Sequence, residues 1–301
     1  MRQVRVTART TEAEDVVSFA LSGDGLPSWT PGAHIDVEVR PGVTRQYSLC
    51  GDPASQRHWR IAVLREDPGR GCSRYLHDSL EVGASLRVSD PRNNFALDPA
   101  PAYSFVAGGI GITPLLPMLR AASAAGAEWT LHYGGRRRSR MAFLVELGVY
   151  GDRVRVLPED EHGLLPLADI VTAGHVVYCC GPEPLLAAVE ELCPAGRLRI
   201  ERFHPRTAEF GPAGSFEVVA SLSGQTVQVG ETESILDALD LAGVGVPSSC
   251  REGTCGTCET PVLDGEVEHR DSVLTEEERA SGKSMMICVS RARSARLVLD
   301  V

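Results

Sequence analysis

Four cysteines carry the strongest chemical signal in this chain. Cys250, Cys255 and Cys258 stand in a C-x4-C-x2-C loop, and Cys288 follows well downstream. This is the plant-type spacing for a [2Fe–2S] cluster, in which four thiolates hold two irons. Such a loop must wrap the cluster while turning backbone N–H groups toward its sulfurs, which suits Gly253 and Gly256 between the ligands. A zinc site, or a chance group of buried thiols, would draw on the same residue type. Zinc sites more often pair two C-x2-C-like knuckles, and the x4-x2 order departs from that habit.

Three further places have residues suited to chemistry. In Arg45-Gln46-Tyr47-Ser48-Leu49, strand alternation sets Arg45 and Tyr47 on one face and Ser48 on the other. A guanidinium beside an aromatic suits a flat, phosphorylated ligand, because Arg forks onto phosphate while the ring lies along a ring. An ordinary exposed strand would read the same way. In Pro68-Gly69-Arg70-Gly71-Cys72-Ser73, a Gly-rich turn runs into a short helix. Ser73 falls where first-turn N–H groups are free to bind phosphate, or it is a simple N-cap. In the middle of the chain, Gly108-Gly109-Ile110-Gly111-Ile112-Thr113-Pro114 follows an apolar run, and Cys180-Gly181-Pro182 follows another. Gly-rich turns after a strand and before a helix take a pyrophosphate, although this one is not the G-x-G-x-x-G fingerprint. Thr113 and Cys180 would converge on a bound ring at that edge. As an alternative, Cys180 is a small buried hydrophobe.

These residues need elements to position them. Short runs at Gln3–Ala8, Asp15–Leu21, His34–Val39, Gln46–Cys50, Trp59–Val63 and Ser85–Val88, broken by Gly/Pro/Asp turns, predict an antiparallel barrel over residues 1–98. From 99 to 205 the pattern alternates. Strands are expected at Tyr103–Ala107, Trp129–Tyr133, Val154–Leu157, Val176–Cys180 and Leu198–Ile200, and helices at Leu115–Ala124, Met141–Leu147 and Leu185–Leu192. That is a βαβ series, hence a parallel sheet with helices on both faces. Residues 206–214 read as a linker by composition. Beyond them, a hairpin of Phe216–Leu222 and Gln225–Val229, a helix at Ser234–Ala242 and a capping box opening at Thr275 are expected. A strand at Met285–Val289 would deliver Cys288, and Arg296–Asp300 would close residues 215–301 as a β-grasp ferredoxin.

Composition limits the function classes. At 301 residues, a formal charge of −10 and a pI near 5.3 argue against a nucleic-acid partner. No apolar run approaches the length of a membrane span, and the first ten residues contain no apolar leader segment. Of nine cysteines, the five outside the cluster motif are expected as reduced thiols in a cytoplasm-like compartment.

Taken together, Arg45-x-Tyr47-Ser48, Gly71-x-Ser73, Gly108 to Pro114, Cys180-Gly-Pro182, Glu201-x-Phe203, the four cluster cysteines and the run Cys288-Val-Ser-Arg-Ala-Arg resemble the phthalate dioxygenase reductase family over the whole length. Within that family they resemble the reductases of vanillate-demethylase-type oxygenases. The resemblance implies FMN, a [2Fe–2S] cluster and NADH or NADPH as donor. It implies Arg45 and Ser73, with Gly71, at the FMN phosphate, and Tyr47, Ser48 and Leu49 at the isoalloxazine, Ser48 near N5. Gly108, Gly109, Gly111, Gly181 and Pro182 would form the nucleotide turns, with Thr113 and Cys180 flanking the nicotinamide. Phe203 would stack on the flavin. Cys72 stands where the family often has glycine, and its side chain is expected to crowd the phosphate loop. The function implied is that of a cytoplasmic, monomeric reductase component passing electrons to a terminal Rieske oxygenase or a cytochrome P450. A flavin and iron–sulfur redox sensor without turnover is the alternative. On the donor, Arg136-Arg137-Arg138-Ser139-Arg140 after the second strand lean toward a 2′-phosphate, or form a solvated basic turn, whereas the family mostly uses NADH.

Overall fold

The structure is a computed structural model and describes residues 1–55, 57–67, 71–171, 174–206 and 214–301. The chain divides into two compact units, Met1–Glu201 and Arg202–Val301. The turn residues Pro68, Gly69 and Arg70 and most of the 206–214 segment lie outside the described residues.

The first unit holds two sheets. The first is built from β1 (Arg2–Ala13), β2 (Val16–Ser22), β3 (His34–Arg40), β4 (Val43–Ser48), β5 (His58–Leu64) and β6 (Ser85–Val88), with α1 (Cys72–Ser79) between the last two strands. All its pairings are antiparallel, in the order β4-β3-β6-β1-β2-β5. The outer strands meet through a bridge between Leu49 and Ile61, so both edges find partners. Alternation sets the core: Val4 and Val6, Phe19 and Leu21, Ile35 and Val37, and Leu86 and Val88 all point inward. α1 closes it with Cys72 and Leu76, one helical turn apart on the same face. Cys72 is buried in that core, while the preceding loop residues on which the expected crowding bears lie outside the described residues.

The second sheet is parallel. It contains β7 (Ala102–Gly108), β8 (Glu128–Gly135), β9 (Val154–Pro158), β10 (Val176–Cys180) and β11 (Leu198–Glu201), in the order β11-β10-β7-β8-β9. The helices are α2 (Leu115–Ala124), α3 (Leu144–Leu147), α4 (Glu159–His162), α5 (Leu167–Val171) and α6 (Glu183–Leu192). Two separate cores show that both faces are covered. Phe105, Ala107 and Tyr178 pack with α2 on one side, while Val106, Val177 and Cys179 pack with α5 and α6 on the other. Each large side chain buried this way contributes about 1.5–3 kcal/mol. The helix expected at Met141–Leu147 is shorter, because Met141 is extended and Phe143 is left-handed at φ 64°, so regular turns begin only at Leu144.

The second unit has a mixed sheet. It is formed by β12 (Phe216–Ala220), β13 (Gln225–Val229), β14 (Glu259–Asp264), β16 (Ser284–Met286) and β18 (Arg296–Leu299), while β15 (Val267–Glu268) and β17 (Arg291–Ala292) form a separate pair. Only β12 and β18 run parallel. α7 (Ile235–Leu241) buries Ile235, Leu236 and Leu239 against the sheet, with Ser234 capping its N-terminus. α8 (Glu276–Ser281) opens with a reciprocal capping box between Thr275 and Glu278, as the sequence predicts. The strand expected to carry Cys288 ends earlier, at Met286. Val289 and Ser290 both donate their N–H groups back to the Met286 carbonyl, so Cys288 sits on a turn.

Candidate functional site

The strand order of the parallel sheet reverses between β7 and β10, and ligands of open α/β sheets bind at the carboxyl edge of such a point. The loops leaving those two strands touch. A Cβ on Gly111 would stand 2.2 Å from the Cys180 carbonyl oxygen, and one on Gly108 would stand 2.6 Å from Pro182 Cδ. Glycine is thus required at position 111 by backbone packed against backbone, and at position 108 by the Pro182 ring and the Leu185 side chain. Gly109 takes φ 55°, which turns the chain into one short helical turn before α2. Thr113 is buried and its hydroxyl donates back to the Ile110 carbonyl at 2.9 Å, which rigidifies the turn.

One residue that the sequence reading left out of the site joins the two sheets. Cys180 and Glu201 are register neighbours at the ends of β10 and β11. The Ser48 hydroxyl, at the end of β4, donates to Glu201 Oε2 at 3.3 Å, and the Cys180 thiol points to the same oxygen at 4.0 Å. Ser48 and Cys180 are thereby brought together through a carboxyl. Packing surrounds that carboxyl, although the residue as a whole keeps some exposure. Burial raises its pKa to about 8, with the Ser48 hydrogen bond opposing. Burial also pushes the Cys180 thiol well above its usual range, and Glu201 adds to the shift. The only sequence signal for Glu201 was its place two residues before Phe203.

On the antiparallel sheet, Tyr47 is partly buried against the core beside Cys72, and burial holds its phenol above the usual range. Arg45 donates to the neighbouring Thr44 carbonyl at 2.7 Å and makes no ion pair among the described residues. Leu49 is fully buried, so its side chain serves the core and only its backbone can face a ligand. Gly71, at φ 81°, is the N-cap of α1, which leaves Ser73 inside the first turn; its hydroxyl accepts the Glu66 N–H at 3.2 Å. A guanidinium without a carboxylate, a half-buried ring and a left-handed glycine at a helix start form a donor set that fits a phosphorylated flavin. Phe203 lies in the other unit and is 36% exposed.

In the second unit, Cys255, Cys258 and Cys288 are buried and Cys250 is half-buried. Cys250 neighbours Cys255 and Cys288, and Cys258 neighbours Cys288, so the four thiols gather in one place. Backbone N–H groups of Glu252 and Thr254 also point to Cys250 Sγ, at 3.3 and 3.5 Å, and Thr257 Oγ1 lies 3.1 Å from Cys255 Sγ. Gly253, at φ 70°, is needed because a Cβ there would meet Val289 Cγ2 at 2.6 Å. Its carbonyl accepts from Ser272, next to buried Asp271, whose carboxylate takes the Val273 and Leu274 N–H groups. Among the described residues, no three or more His, Cys, Asp or Glu side chains are placed to hold one metal ion. Four gathered thiols with backbone donors aimed at sulfur fit a two-iron cluster instead. Among the described residues, no helix is long and apolar enough to cross a membrane.

The 2Fe-2S iron-sulfur cluster binding domain model matches residues 219–293, a range that contains all four cysteines. Phenoxybenzoate dioxygenase subunit beta of Ectopseudomonas oleovorans is 46% identical over 99% of this chain and 97% of its own. The crystal structure of phthalate dioxygenase reductase, a modular structure for electron transfer from pyridine nucleotides to [2Fe–2S], superimposes over 100% of this chain and 98% of that one. Its TM-score is 0.71 and its identity 36%. An intact type IV self-sufficient cytochrome P450 monooxygenase matches 100% of this chain with a TM-score of 0.93 and 46% identity. This chain spans only 41% of that longer protein.

Proposed function

This chain belongs to the phthalate dioxygenase reductase family, and from that membership we propose that it is the reductase of an oxygenase system, carrying electrons from NAD(P)H through FMN and a [2Fe–2S] cluster to a terminal oxygenase. The observation that carries this reading is the cysteine loop, where Cys255, Cys258 and Cys288 are buried beside Cys250 and backbone N–H groups point at sulfur, in a chain whose other unit has a nucleotide-type switch point. When bound, the flavin would accept one hydride, an electron pair, from the nicotinamide and the cluster would carry the two electrons away singly.

The chain's residues would divide the work as follows. Residues 1–98 act as a flavin barrel, 99–205 as a nucleotide domain and 215–301, after a linker at 206–214, as a β-grasp ferredoxin. Arg45, Gly71 and Ser73 hold the FMN phosphate; Tyr47, Ser48 and the Leu49 backbone lie along the ring system. Gly108, Gly109, Gly111, Gly181 and Pro182 shape the nucleotide edge, where Thr113 and Cys180 flank the nicotinamide. Glu201 holds Ser48 and Cys180 in register and, with its raised pKa, keeps that edge uncharged near neutral pH. In this reading the protein works as a cytoplasmic monomer.

Anaerobic mixing with NAD(P)H tests the scheme. The flavin band should bleach before the cluster band; simultaneous or reversed bleaching refutes the order, and reduction only by dithionite would point to a sensor. A terminal Rieske oxygenase is the leading acceptor, in keeping with the whole-length likeness to a dioxygenase subunit, and the likeness to the self-sufficient P450 supports a haem oxygenase as the alternative. Turnover-coupled NAD(P)H oxidation with each acceptor type separates the two.

A further inference from the structure

The carboxyl end of β8 is where an α/β nucleotide domain chooses its cofactor. An acidic side chain there takes the ribose hydroxyls of NADH, whereas an Arg accommodates the 2′-phosphate of NADPH. In this chain β8 ends in Gly134-Gly135, paired through Gly134 with Gly108 of the pyrophosphate turn. Packing forbids an acidic reader at either position without rearrangement. A Cβ on Gly135 would stand 2.7 Å from Met141 Cγ, and one on Gly134 would stand 3.1 Å from Leu165. The next residues are Arg136 to Arg140, and the structure sorts them. Arg138 is held by Glu161, with Nε at 3.0 Å and Nη2 at 2.6 Å from its oxygens. Arg140 is paired with Asp15. Ser139 is fixed twice to Glu14, its hydroxyl donating at 2.9 Å and its carbonyl accepting the Glu14 N–H at 2.8 Å. The turn is therefore pinned at its far end by both sheets, while Arg136 and Arg137 make no ion pair among the described residues. Together with Glu14 and Arg140 they line a surface pocket of about 340 Å³ that is open to solvent.

We propose that Arg136 and Arg137 form a binding site for the 2′-phosphate of NADPH, making this reductase NADPH-selective. The proposal rests on the reductase reading and deepens it. Two exposed guanidiniums with no ion pair among the described residues, at the edge where the adenosine end of the nucleotide would lie, suit a dianionic phosphate, which Arg engages with forked donors. Of the acidic groups nearby, Glu161 and Asp15 are spent on Arg138 and Arg140, and the Glu14 carboxylate, fixed by the Ser139 hydroxyl, leaves the lining with a net positive charge against its three arginines.

The test uses the purified holoprotein. Isothermal titration with 2′,5′-ADP and with 5′-AMP should show the former binding at least about tenfold tighter, the scale of one charge-assisted contact. Arg136→Ala/Arg137→Ala should cut 2′,5′-ADP affinity and kcat/KM for NADPH by about tenfold or more, while 5′-AMP binding and kcat/KM for NADH change less than about twofold. Equal or better use of NADH, with 2′,5′-ADP affinity unchanged in the variant, overturns the proposal and leaves the reductase reading standing. Oxidation of neither nucleotide overturns the reading on which it rests.

Discussion

Replacing Glu201 with Gln should flatten the pH dependence of stability of the first unit. Glu201 is pushed from the usual carboxyl value of 4.5 to about 8 by burial. A raised folded-state pKa means that the native state holds a proton that the unfolded chain releases. The resulting stability is fully present below about pH 4.5 and is lost as pH rises through about 8. Between pH 6.5 and 8.0, linkage with these two values gives a loss of about 1.5 kcal/mol. Gln is isosteric and still accepts the Ser48 hydroxyl hydrogen bond, so the variant keeps the geometry and removes the titration. All three tryptophans, Trp29, Trp59 and Trp129, lie in the first unit, so their fluorescence follows its unfolding alone. Urea melts at pH 6.5 and 8.0 should show the wild-type midpoint falling relative to Glu201→Gln by roughly 0.5–1 M at an m-value of about 2 kcal/mol/M. Other groups cancel in the comparison, including buried His132, whose pKa falls to about 4 and whose contribution has the opposite sign. Parallel slopes for the two proteins, or a wild-type midpoint that rises with pH relative to the variant, would refute the buried-carboxyl reasoning.

Serine at Cys250, Cys255, Cys258 or Cys288 should each abolish bound iron and sulfide while flavin content persists, whereas Cys179→Ser or Cys193→Ser should keep the cluster; metal analysis and the visible spectrum decide. Gly111→Ala should cost about 3 kcal/mol, since its Cβ would fall 2.2 Å from a backbone oxygen. Gly148→Ala, helical at φ −59° with open space around it, should gain about 0.5 kcal/mol in the same urea melts. Arg60→Ala should cost about 1–3 kcal/mol by removing the ion pair to Glu146 and the stack on Phe143, and Arg60→Lys should recover only part of it.

The sequence by itself specified what depends on local pattern. The x4-x2 cysteine spacing named the cluster chemistry, because ligand spacing along a loop is a one-dimensional property. Period-two alternation located the strands of the first sheet, and Ser234 and Thr275 marked helix starts because caps act over three residues. Failures came where backbone geometry overrode pattern: Phe143 adopts a left-handed turn inside an apolar run, and Cys288 sits beyond its strand because two N–H groups close on Met286. Tertiary structure alone decided which distant groups meet. Glu201 reaches Ser48 across 153 positions because β11 is the last strand to join the parallel sheet, and no local signal encodes that meeting. The same holds for Cys72, whose thiol turns inward, and for the arginine run, where only packing against Asp15 and Glu161 separates spent charges from free ones. Side-chain type fixes which chemistry is possible, but pairing and desolvation, which fix charge and position, exist only once the chain has closed on itself.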